Sequence, residues 1–297
     1  MASIILKNCQ VCNSSAIQAV TQIKDHSITK ETFELHKCME CGFLFTQNAP
    51  EESESGRYYQ SEDYISHSNT SKGLVSRLYH VVRDIMLGRK YKLVNSLGSN
   101  KNLLDVGSGT GYFLNFMKQK GYATSGIEID EKAREFSKKQ FGLDVNTPEY
   151  LKTGGITQKF GYITLWHVLE HLYDPNAYLQ KFHSLLDHNG YLIIAVPNHA
   201  CFEAKYYGTY WAAYDVPRHL WHFTPETLEK IAVRNNFKLI EKKMMPFDPF
   251  YNSLLSEKYK NSTLGLLQGF TIGFVSYLKG LINVNKSSSV IYVLKKD

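Results

Sequence analysis

Apolar residues follow two different periods in the larger part of the chain. Short apolar runs, which predict strands, occupy residues 102–106, 123–129, 143–145, 162–167, 191–196, 237–245 and 289–295. Apolar residues recurring every three or four positions, which predict helices, occupy residues 71–97, 111–120, 131–141, 175–186 and 225–235. Gly98 follows the first of these helices, and Asp130 can cap the third. This alternation predicts an α/β fold, a doubly wound sheet with helices on both faces.

The composition is that of a soluble globular protein. Of the 297 residues, 43% are apolar and 21% are charged, which excludes a collagen-like chain, a disordered tail and a small disulfide scaffold. The net charge of +6 is too small to indicate a nucleic-acid partner by itself. The first residues hold only a three-residue apolar run, so no export signal is recognised. We expect a cytoplasmic protein, in which thiols stay reduced.

Four of the five cysteines form two closely spaced pairs, Cys9-x-x-Cys12 and Cys38-x-x-Cys41. Two such pairs predict a tetrahedral, four-thiolate zinc site with a structural role, because no ligand position is left for water. Gly42, directly after the second pair, suits the left-handed residue of such a turn. Free buried thiols or a redox site are the alternatives, and the redox site is disfavoured because no βαβ pattern surrounds either pair.

The cysteine pairs, a tyrosine-rich stretch and the alternating elements divide the chain into three parts. We predict a zinc-binding ribbon over 1–50, a tyrosine-rich linker and helix over 51–98, and a large domain over 99–297 with an insert at 251–286. The ribbon carries four basic and four acidic side chains, and three more acids follow it. A ribbon that binds RNA should be basic, so this pattern argues against a nucleic-acid partner.

A glycine turn joins the first predicted strand of the large domain to a helix. Asp105 is followed by Gly107, Gly109 and Gly111, where backbone can turn tightly and approach a ligand. Neither possible frame of these glycines fits the dinucleotide spacing G-x-G-x-x-G/A. Glu128 ends the second strand, where an acid can accept hydrogen bonds from both ribose hydroxyls.

This stretch resembles motif I of the class I S-adenosylmethionine-dependent methyltransferases, whose sheet is Rossmann-like. The resemblance implies that the glycine turn holds the methionyl part of the donor, Glu128 the ribose, and that Ile129 flanks the adenine. A glycine turn without a ligand and a NAD-type enzyme remain alternatives. With the motif described next, the residues assigned to S-adenosylmethionine are Asp105, Gly107, Ser108, Gly109, Gly111, Tyr112, Phe113, Glu128, Ile129, Trp166 and His167.

The segment from Tyr162 to Pro175 contains the run Trp-His-Val-Leu-Glu-His. Its H-x-x-E-H spacing matches a zinc-protease pattern, but that chemistry needs both histidines on one helix, and here a predicted strand runs into His167. The run resembles motif IV of the ubiquinone-biosynthesis-like methyltransferases, which implies that His171 points into the substrate cleft. A histidine that titrates near neutrality can accept a proton from the acceptor. The alternative is that His171 only braces the loop.

An aromatic, histidine-bearing loop follows the fifth predicted strand, at the edge where ligands bind in such sheets. Its composition predicts a lid over the substrate, in which His219 and Arg218 are further candidates for contact with the substrate. The alternative is that the aromatic residues pack in the core and Thr224 caps the following helix. The order of ribbon, tyrosine-rich linker and α/β domain resembles the deoxysugar C-methyltransferases. That resemblance implies acid–base roles for Tyr59 and Tyr64, although those enzymes carry a further carboxy-terminal domain for which this chain has no segment of sufficient length.

Together these patterns predict S-adenosylmethionine-dependent transfer of a methyl group to carbon or oxygen of a small, polar or sugar-linked acceptor, which could be nucleotide- or lipid-linked. The residues assigned to catalysis are His171, His167, Tyr59, Tyr64 and His219. The alternatives are an RNA methyltransferase that uses the ribbon and a non-catalytic scaffold that only binds the donor. The acceptor and the oligomeric state are left open.

Residues 264–284 carry a single charge, Lys279. On a helical wheel, large apolar residues form one stripe and small residues lie opposite, which indicates an amphipathic helix. We expect this stripe to pack on the domain or on a partner copy; contact with a membrane surface and a membrane span are the alternatives. A span is disfavoured because the flanking strands are expected to pair within one sheet.

Overall fold

The computed structural model describes residues 3–59 and 74–297, with side chains of the first helix described from His80 onward. The amino-terminal part contributes strands to two small antiparallel sheets. Its strands are β1 (Ser3–Ile4), β2 (Ile17–Lys24), β3 (Thr32–Cys38), β4 (Leu44–Gln47) and β5 (Ala49–Pro50). Strands β2, β3 and β4 form a meander, and β1 pairs with β5. Alternate residues of β3, Phe33 and Leu35, point into a core of their own, as expected for a sheet with one buried face.

A seven-stranded sheet forms the centre of the large domain. The remaining strands are β6 (Asn102–Val106), β7 (Ala123–Ile127), β8 (Asp144–Asn146), β9 (Phe160–Trp166), β10 (Leu186–Pro197), β11 (Trp221–His222), β12 (Phe237–Met244) and β13 (Ser289–Lys296). The order in the large sheet is β12-β13-β10-β9-β6-β7-β8. Strands β6 to β10 are parallel, whereas β13 runs antiparallel to both β10 and β12. The predicted α/β sheet is therefore confirmed.

Helices cover both faces of this sheet. They are α1 (Leu74–Ser96), α2 (Tyr112–Gln119), α3 (Glu131–Phe141), α4 (Pro148–Lys152), α5 (Pro175–Leu185), α6 (Phe202–Tyr207), α7 (Pro225–Arg234), α8 (Asp248–Tyr259) and α9 (Gly265–Ile282). Leu103 packs in one core with α1 and α2, whereas its neighbour Leu104 packs in the opposite core with α5 and α7. The alternation of side chains along β6 thus joins two helical layers to one sheet. Asp130 caps α3 by accepting from Ala133 N at 2.7 Å.

The aromatic loop ties the two sheets together. Strand β11, which lies within it, pairs with β4 and so becomes the fourth strand of the amino-terminal sheet. Thr46 on β4 donates to the backbone oxygen of His219 at 2.7 Å. The loop therefore packs between the ribbon and the carboxyl edge of the large sheet.

The predicted insert forms α8 and α9, between the neighbouring strands β12 and β13. Helix α9 packs on α8 through its small residues. The helix thus packs on its own domain, one of the two expected outcomes, but through its small residues and not through its large apolar stripe. Leu267, Phe270 and Phe274 are at least half exposed, because the small residues face α8 and leave the stripe outside.

Candidate functional site

The two cysteine pairs come together at the base of the ribbon. Cys9 Sγ lies 3.5 Å from Cys41 Sγ, and Cys12 Sγ lies 3.5 Å from Cys38 Sγ. All four sulfurs lie within 4.8 Å of one another. Zinc–sulfur bonds of about 2.3 Å in a tetrahedron separate the sulfurs by about 3.8 Å, so the cluster fits a four-thiolate zinc ion. Cys201 is buried elsewhere, at the start of α6.

The glycine turn has the backbone conformation that its sequence predicts. Gly107, Gly109 and Gly111 all have positive φ, of 71°, 53° and 82°. A Cβ on Gly107 would overlap the side chain of Val168, so glycine is required where the turn approaches the loop after β9. The turn is held in place by the backbone N–H of Gly107, which donates to the carbonyl of Ile127 at 2.7 Å.

Glu128 lies directly beyond β7 and folds over this turn. Its Oε2 accepts from Gly109 N at 2.7 Å, and its Oε1 accepts from Asp130 N at 2.9 Å. The carboxylate is 8% exposed, although Ile129 beside it is 72% exposed. An acid held at the mouth of the glycine turn is placed to accept hydrogen bonds from ribose hydroxyls.

Asp105 and Lys90 are buried at the inner end of the glycine turn, and sequence reasoning identified only Asp105. Burial raises the pKa of Asp105 to about 7, against the opposing effects of a 2.5 Å hydrogen bond from Thr164 and of the Lys90 charge. Lys90, on α1, holds its ammonium 4.2 Å from the centre of the Trp166 ring. Burial lowers the pKa of Lys90 to about 8, although Asp105 and Asp248 oppose that shift.

Two buried polar atoms beside this pair lack a hydrogen-bond partner within the part of the chain that the structure describes. They are Ser108 Oγ and Trp166 Nε1. Phe113 packs edge-on against Trp166, and Tyr112 lies under the guanidinium of Arg83. Because buried polar groups normally find partners, these atoms fit a site that a polar ligand completes. The glycine turn, Glu128 and Trp166 lie at the carboxyl ends of the neighbouring strands β6, β7 and β9.

His167 follows β9 with a left-handed backbone, at φ 59°. Its Nδ1 lies 3.3 Å from Glu170 Oε1, and its Nε2 lies 3.1 Å from Asp248 Oδ2. Burial alone would lower its pKa, but hydrogen bonds to the two carboxylates raise the pKa of His167 to about 10. The imidazole is therefore cationic at neutral pH, which suits it to positioning and not to accepting a proton.

His171 lies beside the predicted lid and linker residues. Its Nδ1 lies 3.0 Å from the Arg218 carbonyl oxygen and 3.3 Å from Tyr59 Oη. The His219 ring packs edge-on against it, with ring centres 4.6 Å apart. Burial and the nearby charge of His219 lower the pKa of His171 to about 4. The structure thus brings together His171, His219 and Tyr59, while Tyr64 lies outside the described residues.

Arg218 has a structural position and does not point into this cluster. Its guanidinium is buried between Asp215, at 2.5 Å, and Asp25 of the ribbon, at 3.3 Å. It also donates to the Tyr58 carbonyl oxygen at 2.8 Å. Such pairing satisfies a buried charge, so Arg218 fastens the lid to the ribbon.

Sequence reasoning missed Lys90, Glu170 and Asp248 as site residues. Glu170 lay within the motif and could have been singled out as an acid between two histidines. Asp248 lies three residues beyond the end of the predicted strand 237–245, in the position of a first helical residue. Lys90 carries no local signal, because lysines are common on exposed helix faces.

Comparison with known proteins agrees with this geometry. A family model described as a methyltransferase domain matches residues 81–242, more than half of the chain. The ubiquinone biosynthesis O-methyltransferase of Histophilus somni (strain 2336) is 33% identical over 34% of this chain and 46% of that protein. The enzyme of the same name from Dinoroseobacter shibae is 28% identical over 58% of this chain and 75% of that protein. The chain thus spans about half the length of the first of these relatives.

Among solved structures, magnesium protoporphyrin IX methyltransferase from Synechocystis PCC 6803, with bound SAH, superposes with a TM-score of 0.53. The superposition covers 81% of this chain and 97% of that one at 14% identity, so the likeness concerns the fold. The fold and the family match agree with the glycine turn and the acid after the second strand of the domain. The chain therefore belongs to the class I S-adenosylmethionine-dependent methyltransferases, in the methyltransferase-domain family.

Proposed function

We propose that this protein transfers a methyl group from S-adenosylmethionine to a small polar acceptor. The observation that carries the proposal is the joint position of Glu128 over the glycine turn and of a neutral His171 near the end of β9. The first is suited to holding the donor, and the second to taking a proton from the acceptor. Both lie at the carboxyl edge of the parallel strands, where such sheets bind ligands.

The donor site would be built from residues already in place. Glu128 would accept from the ribose hydroxyls, and Ile129 would lie against the adenine. Lys90 is proposed to pair with the methionyl carboxylate, which would replace Asp105 and Asp248 as its anionic partner. The unpartnered Ser108 Oγ and Trp166 Nε1 support a polar ligand at this position. When bound, S-adenosylmethionine supplies a methyl group that its positive sulfur already activates.

The protein's remaining task is to orient the acceptor and remove its proton. A carbonyl oxygen can only accept a hydrogen bond, so Nδ1 of His171 carries its proton toward Arg218 O and Nε2 keeps a free lone pair. That nitrogen is the proton acceptor we propose. Tyr59 and His219 contact the same imidazole and would position it, as would Tyr64 from the linker.

The acceptor we propose is sugar-linked or similarly polar, and either nucleotide- or lipid-linked. The hydroxyl of Tyr59, the imidazoles of His171 and His219 and the carboxylate of Asp215 offer hydrogen bonds to a hydroxylated substrate. The relatives' names specify transfer to oxygen, whereas the ribbon and linker resemble enzymes that methylate carbon. Either atom is compatible with a histidine that accepts one proton.

Zinc is proposed to have a structural role in this enzyme, which we place in the cytoplasm. Four thiolates complete the coordination sphere and leave no position for a substrate or a water molecule. The metal would hold the ribbon, whose strand β4 is paired with β11 of the lid. The ribbon would therefore frame the acceptor cleft from one side.

Isothermal titration with S-adenosylmethionine tests the donor site. We expect Glu128→Gln to weaken binding by roughly 10- to 100-fold, since a hydrogen bond to a charged group is worth about 1.5–3 kcal/mol. Glu131→Gln, an exposed acid on the first turn of α3, is the matched control and should bind normally. Equal affinity of both variants and the wild type would place the donor elsewhere. Release of S-adenosylhomocysteine with a panel of nucleotide- and lipid-linked sugars then tests the acceptor class.

A further inference from the structure

Helix α9 presents a continuous apolar surface to solvent. We call this surface the outer face of α9. Its members are 41% to 87% exposed and comprise Leu266, Leu267, Phe270, Phe274, Leu278, Leu281 and Ile282. Soluble proteins rarely leave a row of large apolar side chains uncovered, and such a row normally marks a surface that binds a partner or a membrane.

The opposite face of the helix fixes this orientation. A Cβ on Gly273 would lie 2.9 Å from Phe250 Cα, and a Cβ on Gly269 would lie 3.0 Å from Leu254 Cα. Ser276, on the same side, donates to the buried carboxylate of Glu203. Only small residues fit between α9 and α8, so the helix cannot rotate to bury its large side chains without breaking this packing.

The exposed charges of the segment that contains α9 have one sign. Between residues 251 and 286 the exposed charged side chains are all lysines, namely Lys258, Lys260, Lys279 and Lys286. The only acid of that segment, Glu257, is 1% exposed. An exposed apolar face, on a segment whose exposed charges are all positive, is complementary to a lipid surface that carries negative headgroups.

We propose that the outer face of α9 docks this protein onto the surface of an anionic phospholipid bilayer. The helix would lie parallel to the membrane, with its leucines and phenylalanines at the acyl boundary, and the lysines of residues 251–286 would reach the phosphates. It does not cross the bilayer, because its inner face is packed on α8 and its two ends lead into one folded domain. At 18 residues and mostly apolar, it is nonetheless the one helix in the described ranges that passes a length and hydropathy test for a span.

A second copy of the chain fits this face less well. A two-fold contact through α9 would bring together two segments of the same positive charge, whereas lipid phosphates would neutralise that charge. Docking depends on α9 alone and does not require the proposed methyl transfer. Donor binding and membrane binding can therefore fail independently.

Co-sedimentation of the full chain with vesicles tests the proposal. We use phosphatidylcholine vesicles with or without about one third phosphatidylglycerol, at low and at high salt. Binding is expected with phosphatidylglycerol, and it should weaken in high salt. The double variant L267S/F274S should bind at least about tenfold more weakly, since burying each large apolar side chain is worth about 1.5–3 kcal/mol. K279Q/K286Q should lose roughly fivefold per lysine.

The control is V233S/I240S, which removes two equally exposed apolar side chains outside the outer face. It should bind vesicles like the wild type, and L267S/F274S should keep normal affinity for S-adenosylmethionine. Failure of the folded wild type to bind the anionic vesicles would overturn the proposal, as would undiminished binding by L267S/F274S. A dimer in sedimentation velocity that this variant converts to a monomer, without vesicle binding by the wild type, would assign the face to a second copy.

Discussion

His167 Nε2 lies 3.1 Å from Asp248 Oδ2, although the two residues belong to different parts of the large domain. His167 follows β9, and Asp248 is the first residue of α8. The same imidazole reaches Glu170 through Nδ1, so it bridges two carboxylates. This bridge connects the loop proposed to face the donor with the insert that carries α9.

Replacing Asp248 by Asn should lower the pKa of His167. Hydrogen bonds to Asp248 and Glu170 outweigh burial and raise that pKa to about 10. An amide keeps the shape but loses the negative charge, so the pKa should fall toward neutrality. An NMR titration of the His167 imidazole measures it, with Asp144→Asn on β8 as a remote control. A pKa that stays near 10 in Asp248→Asn would mean that Glu170 alone maintains the charge.

The same bridge predicts a pH dependence of stability. The folded pKa of His167 lies above its unfolded value of about 6.5, so the folded state binds more protons between those values. Its stabilising contribution is therefore fully present below about pH 6.5 and is lost as the pH rises toward 10. Asp248→Asn should flatten the fall of unfolding free energy between pH 7 and 9, as measured by urea denaturation. An unchanged slope would show that the bridge does not contribute.

The donor half of the site could be predicted from sequence because its signals are local. Asp105, the glycines and Glu128 lie on consecutive elements, and the parallel pairing of β6 with β7 brings their ends together. The spacing of these residues is set within residues 105–128 and can be read directly from the sequence. The predicted turn and acid therefore occupy one edge of the sheet.

The other half depends on contacts between distant segments. Strand β11 has only two residues and is defined by pairing with β4, so no periodicity could reveal it. The bridge from His167 to Asp248 depends on where α8 begins in space. For α9, the helical period of the sequence correctly located the apolar stripe. It could not tell whether the stripe or the glycines would pack on α8, because that choice depends on the surface of α8.

His171→Ala should lose turnover and keep its affinity for the donor. General-base catalysis typically contributes 10²- to 10⁴-fold, so we expect a fall of about that size in kcat. His188→Ala, an exposed histidine on β10, is the control and should be fully active. Because burial and His219 lower the pKa of His171 to about 4, the acid limb of the kcat/KM profile should lie well below pH 6.5. Undiminished turnover of His171→Ala would show that His171 does not accept the proton and only supports the loop.

Metal removal should destabilise the ribbon and the lid together. Metal analysis of the purified protein should give about one zinc ion per chain, and Cys38→Ser should abolish it. Cys201→Ser is the control, because that thiol is buried away from the cluster. Since β4 is paired with β11, chelation should also raise amide exchange at Trp221 and His222. Full metal content in Cys38→Ser would refute the four-thiolate site.

Two buried histidines should make the folded protein less stable in mild acid. Burial lowers the pKa of both His171 and His199 to about 4, with His219 and Lys37 respectively adding to the shift. In the unfolded chain these two histidines are protonated below about pH 6.5, whereas in the folded protein they stay neutral down to about pH 4. The two histidines should therefore lower the unfolding free energy between about pH 6.5 and 4, by at most about 1.4 kcal/mol per pH unit each. Asp105, whose pKa burial raises to about 7, contributes in the opposite direction.

Urea denaturation at several pH values in that window measures the slope, and single variants assign it. His199→Gln removes one titrating group and should flatten the fall, whereas His188→Gln, on an exposed side chain, should leave it unchanged. Loss of zinc at low pH would add the same contribution to every variant, so the difference between the two slopes reports His199 alone. Equal slopes for both variants would mean that His199 takes up a proton in the folded protein as readily as in the unfolded chain.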